Sequence, residues 1–149
     1  MRYWLVFGLS FAADQISKTV VRRTLSLGES IPILGPYLAI TYWENPGGAF
    51  GLFPGALWVF VATSVVSIAF GMFGRKYLEP LGPLSQISLG LLSGGAMGNL
   101  LDRLRFATVT DFIDFKVWPV FNLADTCVVT GAVFLAILVL RYEKQVWKA

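Results

Sequence analysis

Three long stretches without a charged residue constrain this chain more than any other feature of its sequence. Residues 56–73 and 84–101 each run for 18 residues without Asp, Glu, Lys or Arg, and residues 126–140 add 15 more. About 20 apolar residues span the hydrocarbon core of a bilayer, with roughly 17 at the lower end. Only 14% of the chain is charged, against about 25% in a typical soluble domain. The sequence therefore predicts a membrane protein.

A fourth apolar segment, residues 3–21, is interrupted by Asp14 and Lys18. It could be read as a cleaved signal peptide, because Arg2 precedes an apolar run that ends in the small residues of "FAAD". Asp14 and Lys18 are four residues apart, however, so they share one face of a helix and can pair. A signal peptide has no need of such a pair. We therefore count this segment as the first of four spans.

The segments between the spans complete the predicted fold. "SIPILGPYLAITYW" favours short strands, whereas "ENPGGAFGLFPG" is too rich in Gly and Pro to be regular. The sequence predicts an all-α polytopic membrane protein with a small extracytoplasmic β-containing platform between helices 1 and 2. Residues 105–120 are expected to form a loop. We expect one membrane-embedded domain over residues 1–149, with spans near 3–21, 56–73, 84–102 and 122–140 and a platform near 24–55.

The basic residues favour one orientation in the membrane. With both termini in the cytoplasm, six of the twelve Lys and Arg residues are concentrated in two short tails and one short loop. Short cytoplasmic segments are where the positive-inside bias operates. We therefore expect both termini to be cytoplasmic. The six residues are Arg2, Arg75, Lys76, Arg141, Lys144 and Lys148.

The residue types that are missing narrow the chemistry. The chain has no histidine, which excludes His-dependent catalytic triads and the HExxH zinc site. Cys127 is the single cysteine, so no disulfide framework exists within the chain. The sequence offers no basic and aromatic groove suited to nucleic acid. We therefore expect no metal, no cofactor and no nucleic-acid partner.

The polar residues gather on one side of the predicted membrane. Seven of the nine carboxylates fall there, and ionisable residues in or beside a span by default mark a site. Each also has a structural interpretation: Asn122 as a helix N-cap with Asp125 in the first turn, Asp14 with Lys18 as an ion pair, and Asn45 as a turn residue. The set comprises Asp14, Lys18, Glu44, Asn45, Asn99, Asp102, Arg103, Asp111, Asp114, Asn122 and Asp125.

The reactive groups that remain are carboxylates, hydroxyls and Lys18. Ser17 is adjacent to Lys18 and points elsewhere on a helix, which disfavours a Ser–Lys dyad. Two carboxylates held about 3 Å apart share one proton, because both cannot ionise. The ionised member can then activate water while the protonated member polarises a carbonyl. The sequence thus permits peptide hydrolysis by an aspartate pair, and at this point it leaves open which two aspartates form it.

Five motifs in order resemble the lipoprotein signal peptidases (signal peptidase II), which are bacterial membrane aspartic proteases. Any one of them is weak, but five between spans of the right number are specific. They are "DQISK" at 14–18, "NPGGAFG" at 45–51, "GGAMGNLLDR" at 94–103, "VTDFIDF" at 109–115 and "FNLAD" at 121–125. "NPGGAFG" departs from relatives at Pro46 and Gly48, where other small or polar residues are common.

The resemblance implies a role for each matched residue. It assigns catalysis to Asp111 and Asp125, while Asp114 falls three residues too late in its motif and is secondary. Asp102, a rival on motif grounds, is expected to orient Arg103. The residues implied to bind substrate or support the site are Asn45, Gly48, Asn99, Arg103, Asn122, Ala124, Asp14, Lys18 and Asp102.

The resemblance also implies a function. It predicts an endopeptidase that cleaves diacylglyceryl-modified prolipoproteins just before the lipidated cysteine, at the outer boundary of the bacterial cytoplasmic membrane. The expected partners are these substrates and membrane lipids, and the expected state is a monomer. A transporter is the main alternative, but it would be expected to place polar residues near the midplane or on both sides. A structural membrane subunit is a third interpretation that leaves the five motifs unexplained.

Overall fold

The computed structural model describes residues 1–47 and 55–146, which form a mostly helical protein with one small sheet. The predicted combination of helices and a small sheet is confirmed. The long elements are separated by short connections, one of which contains a single 3₁₀ turn, Glu79–Leu81. In chain order they are α1 Arg2–Thr24, β1 Ser30–Leu34, β2 Leu38–Asn45, α2 Leu57–Gly74, α3 Pro83–Phe106, β3 Val109–Asp114 and α4 Leu123–Val146.

Two of the described helices are long and apolar enough to cross a membrane. They are α2, over Leu57–Gly74, and α4, over Leu123–Tyr142. The other two long helices, α1 and α3, carry the buried charged residues Asp14, Lys18 and Asp102. These charges make α1 and α3 less apolar than α2 and α4, and they place buried polar groups inside the bundle.

Helix α3 lies at the centre of the bundle and packs against α1, α2 and α4. A seam of glycines spaced four residues apart in α3, at Gly90, Gly94 and Gly98, makes this approach close. A Cβ added to Gly94 would lie 2.6 Å from the Phe7 carbonyl oxygen of α1, and one added to Gly90 would lie 2.8 Å from that of Tyr3. Real Cβ atoms essentially never approach so closely. The seam therefore sets the α1–α3 separation, as small residues do in membrane helices.

The sheet has the order β1-β2-β3, with both pairs antiparallel. Strand β3 corrects the prediction of a loop over residues 105–120, and it shows that the platform is not confined to the segment between α1 and α2. Asn45 pairs with Val109 and Trp43 with Asp111. The mixed polar and apolar character of this segment suggested a loop, but β2 offers it an edge with which to pair. Asp111 is consequently held on a strand.

An apolar cluster joins the sheet to the helices. Val21 and Leu25, at the end of α1, pack with Phe112 of β3, and Leu123 of α4 joins them. Because Phe112 and Asp111 are neighbours on β3, burying the phenylalanine against the helices fixes the aspartate that precedes it. The cluster thus positions β3 against the N-terminus of α4.

Candidate active site

The first turn of α4 is closed by two of the predicted site residues. The Asp125 N–H donates to Asn122 Oδ1 at 2.8 Å, and the Asn122 N–H donates to Asp125 Oδ2 at 3.3 Å. This is a reciprocal capping box, and it confirms the N-cap interpretation of Asn122. The box orients the Asp125 carboxylate, whose Oδ1 accepts a 2.7 Å hydrogen bond from Asn99 Nδ2.

Strand β3 supplies the second carboxylate. Asp111 is 1% exposed, and both of its oxygens accept hydrogen bonds from amides. Asn122 Nδ2 donates to Oδ1 at 2.6 Å, and Asn45 Nδ2 donates to Oδ2 at 2.9 Å. The Asn45 Oδ1 in turn accepts from the Gly47 N–H at 2.9 Å, which fixes the Asn45 side chain. Asn122 therefore contacts both aspartates, and Asn45 positions Asp111.

Asp111 and Asp125 line one cavity of about 520 Å³, here called the site cavity. Its polar wall also includes Asn45 and Arg103. Its remaining wall is largely apolar, so the two carboxylates face a space that suits a lipid-like or apolar peptide group. The apolar wall includes Val109, Trp118, Pro119, Val120, Phe121, Val128 and Val129.

The surroundings of Asp111 favour its protonated form. Burial and the nearby charge of Asp125 raise the pKa of Asp111 to about 7, against the opposing hydrogen bonds from Asn45 and Asn122. The closest side-chain donors to these two carboxylates are the amides of Asn45, Asn99 and Asn122. An amide stabilises a negative charge less than a cation does. Below pH 7 the pair therefore carries a proton on Asp111.

A second polar cluster lies behind this pair and is centred on Lys18. The ammonium group is fully buried and lies 3.0 Å from Asp14 Oδ2 and 3.2 Å from Asp102 Oδ2. It also donates to Asn99 Oδ1 at 2.9 Å. Because Lys18 occupies the oxygen of Asn99, the amide nitrogen of Asn99 is turned toward Asp125. Lys18 thus orients a residue of the site without lining the site cavity.

Asp102 holds the sheet to the helices. It accepts from the Thr110 N–H at 3.1 Å and pairs with Arg22 at 3.4 Å, while Arg22 Nη1 also donates to Thr110 Oγ1 at 2.8 Å. The expectation that Asp102 orients Arg103 is corrected, because the bonds of Asp102 run to α1 and β3. Arg103 itself donates to the Gly47 carbonyl at 3.3 Å.

Asp14 secures the start of α4. Its Oδ1 accepts from the Ala124 N–H at 2.9 Å, one of the helix amides that has no partner within the helix. Ala124 is fully buried, and its Cβ lies 3.4 Å from where a Cβ on Gly98 would be. A larger side chain at position 124 would separate α4 from α3. Ala124 is thus a packing residue whose backbone is anchored by α1.

The comparisons with known proteins agree with this architecture. The family model for signal peptidase (SPase) II matches residues 6–141. The chain belongs to the signal peptidase II family. The lipoprotein signal peptidase of Pelotomaculum thermopropionicum is 46% identical over 91% of this chain and 90% of its own length. That of Moorella thermoacetica is 44% identical over the same shares of the two chains.

Solved structures show the same fold. A bacterial membrane enzyme determined by the in meso method at 2.3 Å matches with a TM-score of 0.85 and 26% identity, over 93% of this chain and 87% of its own. A second such enzyme, at 1.9 Å, matches with a TM-score of 0.81, also at 26% identity, over 93% and 92% of the two chains. The family resemblance seen in the five motifs is confirmed. The chain is a signal peptidase II family protease and a membrane protein.

One residue named by the motifs, Asp114, lies apart from the site. Asp114 accepts from Lys116 Nζ at 2.7 Å and Thr41 Oγ1 at 2.7 Å, away from the site cavity. Partial burial raises the pKa of Asp114, but the hydrogen bonds from Lys116 and Thr41 outweigh it and hold this pKa below its ordinary value. Gly48 lies outside the described residues. No group of three or more His, Cys, Asp or Glu side chains suited to a metal ion occurs in residues 1–47 and 55–146.

Three supporting residues were missed in the sequence. Arg22 follows Lys18 by four residues and so shares its helix face, which was the available signal. Gln15 lies inside the first motif, and its Nε2 donates to the Gly98 carbonyl at 3.1 Å. Thr110 precedes Asp111 and faces Asp102, but its role depends on the strand that the sequence did not reveal.

Proposed function

We propose that this signal peptidase II family member is an aspartic endopeptidase whose catalytic pair is Asp111 and Asp125. Its substrate is a diacylglyceryl-modified prolipoprotein, cleaved before the lipidated cysteine. The observation that carries the proposal is the geometry of the pair: two carboxylates face one cavity, contact the same asparagine, and include one with a pKa of about 7. Such a pair holds the acid and the base that hydrolysis needs.

The two carboxylates have different tasks. Asp111, protonated, hydrogen-bonds the carbonyl oxygen of the scissile bond. Asp125 accepts a hydrogen bond from Asn99 Nδ2, and two capping contacts hold it at the positive end of α4, where a negative charge is stabilised. Because the two groups interact, their titration belongs to the pair. Asp125 is the base that receives the proton of the attacking water.

The reaction balances with one water. The water oxygen attacks the carbonyl carbon while its proton passes to Asp125 and the Asp111 proton passes to the carbonyl oxygen, giving a tetrahedral diol. The C–N bond then breaks, the amine nitrogen takes the proton from Asp125, and a diol proton returns to Asp111. The products are the signal peptide with a C-terminal carboxylic acid and the lipidated cysteine with a free amino group. General acid and base catalysis of this kind contributes roughly a hundredfold to ten-thousandfold.

We further propose that all four helices span the bacterial cytoplasmic membrane as one monomeric domain, with both termini cytoplasmic. On α1, Asp14 and Lys18 are fully buried in the bundle, whereas Leu5, Leu9 and Ile16 are more than 60% exposed. A helix with its charges inside and its apolar face outside suits lipid contact. The site then lies at the extracytoplasmic boundary, where the acyl chains stay in lipid while the scissile bond meets the carboxylates.

The test is cleavage of a diacylglyceryl-modified prolipoprotein by the purified chain in detergent. Asp111→Asn and Asp125→Asn keep the side-chain shape but remove the acid. We expect each to lower turnover by roughly a hundredfold or more, while substrate binding is retained. Asp114→Asn, on the same strand but away from the site cavity, is the matched control and is expected to cleave at the wild-type rate.

Two outcomes would contradict the proposal at different levels. If Asp111→Asn stayed active while Asp114→Asn or Asp102→Asn lost activity, the catalytic pair would be wrong although the function would stand. If the folded wild-type chain failed to cleave under conditions where a related lipoprotein signal peptidase cleaves, the function itself would be wrong.

A further inference from the structure

A second cleft reaches Asp125 from the side of α2. Its volume is about 240 Å³, and we call it the α2 cleft. Asp125 and Arg103 line both the α2 cleft and the site cavity, so they form part of the wall between the two spaces. The carboxylate of Asp125 is therefore approached from two sides. The α2 cleft is lined by Thr63, Ser64 and Ser67 of α2, with Asn99, Arg103 and Asp125 among its other residues.

The hydroxyl groups of α2 all line this cleft. Thr63, Ser64 and Ser67 are the only hydroxyl residues in an otherwise apolar helix. Thr63 and Ser64 donate to the Phe60 carbonyl at 3.0 and 2.8 Å, and Ser67 donates to the Thr63 carbonyl at 2.9 Å. With its proton held by the helix, each oxygen keeps lone pairs for a further donor. Small residues at a helix interface often serve packing alone, but Thr63 is exposed and Ser67 half-buried.

A buried hydroxyl without a partner lies one helical turn farther along. Ser93 is fully buried, and its Oγ has no hydrogen-bond partner among the described residues. It lies against Gly71, where an added Cβ would collide with it. Gly71 and Ser93 are one turn from Ser67 and Ala96, which line the α2 cleft. Buried hydroxyls that lack a protein partner are commonly satisfied by water.

We propose that the α2 cleft supplies the hydrolytic water to Asp125 while the substrate occupies the site cavity. This inference rests on the proposed function, in which each cleavage consumes one water. A lipidated peptide that fills the apolar site cavity closes that approach to the pair. Water at membrane depth needs polar partners, and the hydroxyls of α2 together with Asn99 and Arg103 line a path to the base.

Thiol labelling tests whether the α2 cleft holds water. In a Cys127→Ala background, Ser67→Cys and Val66→Cys place thiols on the cleft face and on the exposed outer face of the same helix. Thiols react with a charged methanethiosulfonate as thiolates, which form in contact with water. We expect Ser67→Cys in lipid vesicles to react roughly tenfold faster than Val66→Cys or more. Equal rates, or a slower reaction of Ser67→Cys, would overturn the proposal.

Steady-state kinetics test whether this water is the one consumed. The double variant Thr63→Val and Ser67→Ala removes two cleft hydroxyls with little change in volume. We expect kcat to fall roughly tenfold while KM is unchanged. Thr24→Val is the matched control, because its hydroxyl also donates to a helix carbonyl, that of Val20 at 2.8 Å, but away from the cleft.

The outcomes separate this inference from the proposed function. If the wild-type chain cleaves prolipoprotein and the double variant keeps the wild-type kcat, the route through the α2 cleft is wrong and the function stands. If the wild-type chain does not cleave, the function fails, and the labelling rates still decide whether the cleft is wet.

Discussion

The molecule holds two buried groups of carboxylates that differ in the charge of their partners. Asp14 and Asp102 share the ammonium group of Lys18, at 3.0 and 3.2 Å. Asp111 and Asp125 receive their closest side-chain hydrogen bonds from amides. An adjacent cation favours the charged form of a buried carboxylate, whereas an adjacent carboxylate disfavours it. The cation therefore distinguishes the pair that supports the fold from the pair that is suited to proton transfer.

Asn99 joins the two groups. Its oxygen accepts from Lys18 and from Asn122 Nδ2, and its nitrogen donates to Asp125. The cation therefore acts on the site through the orientation of an amide rather than by direct pairing. This arrangement keeps the Lys18 ammonium group from pairing directly with Asp111 or Asp125.

The largest expected effect comes from removing the shared cation. Lys18→Met leaves Asp14 and Asp102 buried without their partner, and loss of one member of a buried pair costs about 3–5 kcal/mol. Chemical unfolding in detergent measures the change. Lys116→Met is the control, because its pair with Asp114 is part-exposed and is worth about 1 kcal/mol at most. If Lys18→Met and Lys116→Met lost the same free energy of unfolding, the buried ion pair would be no more important to stability than the part-exposed one.

The next effect separates the cap of α4 from the contact with Asp111. Asn122→Ser retains a good N-cap, but its shorter side chain cannot donate to Asp111 as Asn122 Nδ2 does. Asn122→Ala loses both the cap and the contact with Asp111. We expect turnover to fall roughly a hundredfold in both variants. Only Asn122→Ala is expected to lose about 1 kcal/mol of stability from the cap. Full activity of Asn122→Ser would show that the contact with Asp111 is dispensable.

A smaller effect is the pH dependence that Asp111 imposes. Its pKa in the folded chain, about 7, exceeds the ordinary 3.8, so the stability it contributes is fully present below 3.8 and is lost as the pH rises through 7. Turnover needs the same proton and should fall roughly tenfold per pH unit on the alkaline side. A pH–rate profile measures this limb. A rate that stays level from pH 7 to 9 would contradict the role of Asp111 as the acid.

The smallest effect is expected for the aspartate that has both an exposed cation and a hydroxyl as partners. Asp114→Asn keeps the side-chain volume but loses the ion pair with Lys116, so the free energy of unfolding should change by no more than about 1 kcal/mol. Thermal unfolding in detergent checks this value. A loss as large as that of Lys18→Met would place Asp114 in the same class as the buried pair.

Local sequence patterns predicted the helices, whereas the candidate site residues were named by the family resemblance. Charge-free runs marked α2 and the body of α4, and the spacing of Asp14 and Lys18 indicated their pairing within one turn. Strand β3 was not predicted, because its pairing depends on β2, which lies more than 60 residues earlier. The partner of Asp102 was misassigned for the same reason: Arg22 lies 80 residues away, and a sequence neighbour was the simpler choice.

The capping box at the start of α4 has a consequence for motion during turnover. The Asp125 oxygen that fastens the first turn belongs to the carboxylate that we propose accepts the proton of water. A protonated carboxyl accepts hydrogen bonds less strongly than a carboxylate. On that proposal, the first turn of α4 is held least tightly while the diol exists, and the capping hydrogen bond strengthens again when the amine departs. We therefore expect the start of α4 to loosen once in each cycle, at the step when the two halves of the substrate separate.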